Sequence, residues 1–591
     1  MVSINFLSEC LRVKQLVLQI QYPSLRRGNL IRHFGAYFLL IISAWVPVAH
    51  AQDGVNTQEL FAQQRWSDVV NRLSAVSGRS SAEEYEYGIA LAQLGQWDQA
   101  HAALDRGYRM QPKDKRFPIE LAGVAFKQKN NRQAAAYLRR ALRLDGRDDY
   151  ANEFLATVYF LQGNLEAAVK YWNRISHPKP EIAGMRNAPA LRTRPALLDH
   201  AFAFSSASVL RLDELRKTDV QLNQLEIFPT WRLDLAAQSD GRFDSVFRAQ
   251  ELNGFGNSRV ESVVRTLRGL PFQEIRPEYY NIGGSATNLV SLGRWDSEKR
   301  RYAAAISGSL WQSPQWRYRI GGDIRNENWD IRNGFTGPAP VLGSLNTLRE
   351  AGSAEVSRTV GWRWQWSVGA EFSHRDFRNV VAGTVLTPEL LQIGFQLKQT
   401  ATLNYQVLRS PERRLDITST AGSESGRLWS DLPMSFEKLQ GSLQAHWLPK
   451  LRGDDYETYW RACAGKTFGQ VPFDELFMLG LEHDNDPALW MRAHIGTRNG
   501  RKGSAPLGRD YFLSSWESDK NLYRNGLLTL KLGPFVDTGK ITDPGTALGS
   551  QKWLADTGAE AKLRVLGVGV AFVYGKDLRT GNNAFYVTLV R

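Results

Sequence analysis

Residues 362–373 read Trp-Arg-Trp-Gln-Trp-Ser-Val-Gly-Ala-Glu-Phe-Ser. Trp362, Trp364, Trp366, Val368, Ala370 and Phe372 alternate with Arg363, Gln365, Ser367, Gly369, Glu371 and Ser373. Successive side chains of a strand point to opposite faces, so this strand has one greasy side and one polar side. The pattern recurs. Trp316, Tyr318, Ile320, Gly322 and Ile324 oppose Arg317, Arg319, Gly321, Asp323 and Arg325, and Leu391, Ile393, Phe395 and Leu397 oppose Gln392, Gly394, Gln396 and Lys398. A soluble antiparallel sandwich also alternates. Three features favour a transmembrane antiparallel β-barrel instead. The runs reach the roughly 9–11 residues that cross a bilayer core, and their apolar faces carry the Trp and Tyr of interfacial girdles. Strand also follows strand, between polar turns, over residues 276–591. A closed barrel satisfies every backbone group in lipid, which an open sheet cannot do. The candidates number roughly 13 to 15, and bacterial single-chain barrels prefer even counts, so sixteen strands are expected, or alternatively fourteen.

Upstream the period changes. Ala100, Ala134 and Ala168 stand 34 residues apart, and so do Leu104, Leu138 and Trp172, and Gly88, Ala122 and Ala156. Small residues in the first and third sets let paired helices approach closely, while the larger ones fill the seam. The pattern resembles the tetratricopeptide repeat. A degenerate half-repeat precedes it, since Arg65-Trp66-Ser67-Asp68-Val69 echoes Gln96-Trp97-Asp98-Gln99-Ala100. An all-α solenoid over residues 52–180 is expected, offering a concave surface to a protein client or an assembly partner. A passive spacer is the plain alternative.

The start of the chain reads as a secretory leader, residues 1–51. Arg26, Arg27 and Arg32 precede an apolar run from Phe34 to Val48, and Ala49-His50-Ala51 supplies a cleavage site. An uncleaved inner-membrane anchor and a downstream start codon are the alternatives. Cys10 falls in the leader, so Cys463 alone would remain, as a small apolar filler of its strand, and neither a disulfide nor a cysteine-based zinc site is expected. The net charge of +14 points to an anionic partner. Because the cations are spread along strands, a basic lumen or loops facing lipopolysaccharide fit better than nucleic acid.

Residues 181–275 read as a linker followed by a small α+β module. Four prolines at 178, 180, 189 and 195 mark residues 177–195 as linker. Ser208–Leu225 and Arg259–Leu270 read as helices, and Trp231–Leu235 and Phe243–Leu252 as strands. The module is vaguely similar to a polypeptide-transport-associated domain, although its element order differs.

Residues 473–591 carry more specific text. It comprises Phe473-Asp474-Glu475-Leu476-Phe477, Gly480, Leu489-Trp490-Met491-Arg492-Ala493-His494, and Pro534-Phe535-Val536-Asp537-Thr538-Gly539 within Leu530–Gly539. This resembles the BamA/TamA-type barrel superfamily, which inserts or translocates proteins at the bacterial outer membrane. The resemblance implies that Phe535, Asp537 and Gly539 face the lumen and hold Arg492 of a long inward-folded loop. Periodicity agrees on facing: Leu528, Leu530, Leu532 and Val536 share one side, and Thr529, Lys531, Phe535 and Asp537 the other. The family's loop continues Arg-Gly-aromatic where this chain has Arg492-Ala493-His494, and its last strand ends in an aromatic where this chain has Arg591.

His483, Asp484 and Asp486 read as a solvated turn, not a metal site. No Gly-x-Ser-x-Gly elbow and no phosphate-cradling loop occur. A non-enzyme without cofactor is expected, placed in the outer membrane with its repeats in the periplasm. It would insert or translocate proteins; the alternatives are an exopolysaccharide export porin and a surface receptor or adhesin.

Overall fold

The computed structural model describes residues 56–590 apart from 257, 335–338, 451–454, 526–527, 544–547, 551 and 566–567, so the expected leader lies outside the described residues. The chain forms two compact units. One holds the residues up to Gly163 together with Arg174–His177; the other holds Asn164–Asn173 and everything from Pro178.

The first unit is helical: α1 Thr57–Ala62, α2 Trp66–Ser74, α3 Ser81–Gln93, α4 Trp97–Met110, α5 Arg116–Lys127, α6 Asn131–Leu144 and α7 Asp149–Leu161. Helix starts are set by side chains. Ser80 and Glu83 form a capping box on α3, and Asn130 and Asp148 cap α6 and α7. Helix ends keep the 34-residue spacing, because Gly95, Lys129 and Gly163 all adopt left-handed φ at the turns. Packing explains the small residues. A Cβ on Gly88 would lie 2.6 Å from Leu104 Cγ, so only glycine lets α3 and α4 meet there. Ala100, Leu104, Ala122, Ala134, Leu138 and Ala156 are all fully buried.

The fragment 52–180 is expected to fold alone and give a helical circular dichroism spectrum; a coil spectrum would contradict this. Glu120 adds a pH dependence. Burial raises its carboxyl from 4.5 to about 7, against the lowering hydrogen bond from the Tyr85 hydroxyl (3.3 Å). A raised carboxyl favours the folded state below about 4.5 and loses that advantage as pH rises through about 7. The fragment should therefore melt at a lower temperature at pH 8 than at pH 5.5, and Glu120→Gln should shrink that difference.

In the second unit α8 (Leu165–Trp172) buries Ala168 and Trp172, and Trp172 packs its ring against Phe243. The α+β module follows: β1 Glu181–Asn187, α9 Pro195–Ala201, β2 Ser208–Val209, α10 Leu212–Gln224, β3 Thr230–Ala237 and β4 Phe243–Gln250, with sheet order β2-β1-β4-β3. The prolines misled the reading of residues 177–195 as linker. They bracket a seven-residue strand, β1, whose backbone groups pair with β2 on one side and β4 on the other. Helix α11 (Arg259–Leu267) comes next.

The remainder is a barrel, its strands ordered as a closed ring. Its wall is built from β5 Glu274–Ile275, β6 Glu278–Tyr279, β7 Asn288–Trp295, β8 Lys299–Leu310, β9 Ser313–Ile331, β10 Gly343–Val360, β11 Trp364–Val381, β12 Gly394–Ser410, β13 Leu415–Trp429, β14 Met434–Trp447, β15 Tyr456–Gly469, β20 Asp510–Arg524, β21 Leu528–Thr542, β22 Leu554–Val565, β23 Val568–Asp577 and β24 Asn583–Val590. That makes sixteen wall strands among the described residues, two of them only two residues long. Antiparallel registers fix the facing: Ala354↔Ala370 and Gly352↔Phe372 pair β10 with β11, and Phe372↔Leu397 pairs β11 with β12. Val368, Phe372, Phe395, Val536 and Tyr574 stand exposed on the outside, while Arg317, Ser373, Arg375, Gln396 and Asp537 are buried inside.

Two residues expected on the apolar face lie elsewhere. Trp362 sits in the turn before β11, where its indole donates to Asp213 (3.2 Å) and lies under Arg216. Leu391 precedes β12 and packs on the loop cluster around Leu345, Phe377 and Leu390. The strand starts only at Gly394, where a Cβ would fall 2.0 Å from the Trp429 carbonyl. The module and α8 dock on the short-turn end of the barrel: Arg409 bonds Glu166 and Asp219, Asn164 donates to the Pro411 carbonyl (2.7 Å), and Lys170 pairs with Glu412.

Candidate functional site

The segment between β15 and β20, residues 470–509, folds into the barrel. It carries β16 Phe477–Met478, β17 Thr497–Arg498, β18 Arg501–Lys502 and β19 Leu507–Gly508. Leu479, Leu481 and Met491 are fully buried. Its charged side chains reach inward-facing residues around most of the wall. Glu475 meets Arg349 of β10 (3.2 Å), Arg375 of β11 (3.6 Å), Lys398 of β12 (3.4 Å) and Lys438 of β14 (2.8 Å). Glu482 pairs with Lys299 of β8 (3.3 Å).

At the loop tip stands Arg492, 5% exposed. Its Nε and Nη2 donate to the two oxygens of Asp537 at 2.9 and 2.7 Å, and its backbone N–H also donates to Asp537 (3.1 Å). Such a planar fork matches a carboxylate better than any ammonium could. Nη1 donates to Glu517 (2.6 Å) and Glu560 (3.0 Å), and the guanidinium lies 3.9 Å over the Phe535 ring. The arginine thus sits among three carboxylates from β20, β21 and β22.

Glycines make the room. A Cβ on Gly558 would lie 2.8 Å from Phe535 Cζ, and one on Gly575 would lie 2.7 Å from the Arg492 carbonyl. Gly539 passes Met491 closely, with Sδ 3.2 Å from where its Cβ would be. The four residues expected from the sequence, Arg492, Phe535, Asp537 and Gly539, therefore come together.

Sequence reasoning missed the rest of the cradle: Glu517, Asp556, Gly558, Glu560, Gly575 and Asp577. The available signal was parity, since 556, 558 and 560 alternate on the inward face of β22 around Asp537's partner position (Asp537↔Asp556). His494, which directly follows Ala493 at the loop tip, donates or accepts at Asp556 (3.0 Å) and approaches Asp577 (3.8 Å). The ligand atoms of these three residues lie within 4.8 Å of one another, and His494 Nδ1 is already hydrogen-bonded to Asp556.

His483 and Asp484 do not form a solvated turn. Their side chains are only 5% and 4% exposed: His483 bonds Glu274 (3.1 Å) and stacks on Phe272 (4.4 Å), and Asp484 accepts from Arg294 and Arg301. The local pattern resembled a turn because the loop's partners lie about 190 residues away in sequence. Cys463 is buried against the loop, its Sγ 3.3 Å from the Ala488 carbonyl.

The fold and site define a β-barrel with a plugged, ion-paired lumen and N-terminal helical repeats. The tetratricopeptide repeat family model matches residues 85–131 and 119–180. Solved structures similar to the chain include CdiB from Escherichia coli, at 13% identity and TM-score 0.44, covering 74% of this chain and 80% of that one. CdiB from Acinetobacter baumannii matches at 10% identity and TM-score 0.41, covering 99% and 97%. BamA from Haemophilus ducreyi lacking POTRA domains 1–3 matches at 12% identity and TM-score 0.39, covering 70% and 85%. No curated protein matches the chain.

Proposed function

We propose that this protein is an outer-membrane barrel that inserts or translocates polypeptides, with its repeats in the periplasm docking a client or an assembly partner. The observation that carries the reading is the fork of Arg492 on Asp537, which ties an inward loop to the wall of the lumen. A loop held by buried ion pairs is a built part, not a collapsed surface loop. It narrows the lumen, which an open polysaccharide pore would not need, and this favours polypeptide handling over the exporter reading. An adhesin would need no such plug either. The barrel works by binding and passage, without catalysis. Helix α8 and the α+β module dock on the short-turn end, and we assign that end to the periplasm. The outer surface then meets lipid, and the longer loops meet lipopolysaccharide.

The placement has a direct check. The mature protein is expected in the outer-membrane fraction and should migrate faster unheated than boiled on a gel, as a closed barrel does. Recovery in the soluble periplasm would overturn the membrane reading.

A further inference from the structure

Three aspartates stand in a row on the inward face of β21, β22 and β23. Asp537 pairs with Asp556, and Asp556 pairs with Asp577. Carboxylates directly opposite one another across a sheet repel, and these are 0%, 0% and 5% exposed. The Arg492 guanidinium serves the first of them. For the other two, the one basic partner among the described residues is the His494 imidazole. Nearby cations are committed elsewhere: Arg492 also meets Glu517 and Glu560, and Lys562 meets Glu517 and Asp519. Two buried carboxylates and one imidazole are left to balance one another, and a buried charge without a partner is costly.

Hydrogen bonds alone do not close this gap. His494 Nδ1 bonds Asp556 Oδ2 at 3.0 Å, but Nε2 stays 3.8 Å from Asp577 Oδ2, beyond hydrogen-bond reach. Asp556 Oδ1 is buried and has no hydrogen-bond partner among the described residues, an orphan that native interiors rarely leave. One ligand atom from each of His494, Asp556 and Asp577 lies within 4.8 Å of the others. Ligand atoms that share one zinc ion each lie roughly 2.0–2.2 Å from it, so they stand as much as about 4 Å apart. A separation too long for a hydrogen bond is thus suited to a shared ion.

From this geometry we propose that a divalent transition-metal ion binds between His494, Asp556 and Asp577 and fastens the loop tip to β22 and β23. One imidazole with two carboxylates suits zinc better than calcium or magnesium, which take oxygen ligands. Its charge offsets the two carboxylates that Arg492 does not reach. The His494 side chain keeps 15% exposure, which leaves an ion a way in. Because His494 lies two residues beyond Arg492, the ion would hold the loop tip at a second point, whatever the barrel transports.

Untagged full-length protein in detergent would be stripped with a chelator and titrated with zinc chloride by isothermal calorimetry. The parent protein is expected to bind one zinc ion per chain. His494→Gln and Asp577→Asn, each compared only if it keeps the parent's strand circular dichroism, should weaken binding at least about tenfold, since even groups that merely orient a metal ligand are worth that much. His446→Gln, at a histidine that bonds Glu457 on the neighbouring strand, should bind as the parent does. In the parent, zinc should also slow protease cleavage within residues 470–509, and a chelator should restore it. No zinc binding, or binding that survives both substitutions, would overturn the site. Zinc bound there with cleavage unchanged would overturn the fastening of the loop.

Discussion

Arg492→Ala and Asp537→Asn should each release the inward loop, and the double variant should be no worse than either single one. Arg492 and Asp537 are 5% and 0% exposed and share a two-pronged hydrogen-bonded pair. Removing one member of a buried pair leaves an uncompensated charge and costs about 3–5 kcal/mol. For Arg492→Ala the residue left behind is a cluster of three carboxylates, Asp537, Glu517 and Glu560, so its defect should be at the upper end. Limited proteolysis within residues 470–509 reads loop release, and urea unfolding from vesicles reads stability. Strictly additive losses would mean that the two residues act independently.

Glu475→Gln should be the other severe substitution. One carboxylate, 4% exposed, faces Arg349, Arg375, Lys398 and Lys438, and also accepts from Gln396 (2.9 Å). The amide keeps the shape and removes the charge, leaving four inward cations with only their remaining acidic neighbours. A loss of about 3–5 kcal/mol is expected on the same grounds, measured as a lower urea midpoint and faster cleavage of the loop. Wild-type behaviour would show that water or counter-ions, not Glu475, balance these cations.

The two residues differ in how readable they were. Arg492 and Asp537 stand in short motifs, and Asp537 also follows strand parity. Glu475 stands in a quoted motif, but nothing local tells that it will meet wall strands from β10 to β14. The strands were legible because lipid outside and water inside impose period two on every crossing. The repeats were legible because Gly88, Ala122 and Ala156 must be small where helices touch. Contacts between distant segments were not. His483 and Asp484 resembled a turn because their partners, Glu274 and Arg294, stand far back in the sequence. Strand β1 hid between prolines for a related reason, since its partners β2 and β4 come later in the chain.

The most direct measurement places a photo-crosslinking amino acid at Phe126, half-buried in the repeats, and separately at Thr402, which pairs with Ser367 on the inward face of β12. Irradiation in cells, with mass spectrometry of the adducts, reads what passes each position. The account predicts an exported polypeptide attached at Thr402, and that polypeptide or an assembly partner attached at Phe126. A glycan at Thr402, or no polypeptide adduct there, would contradict it.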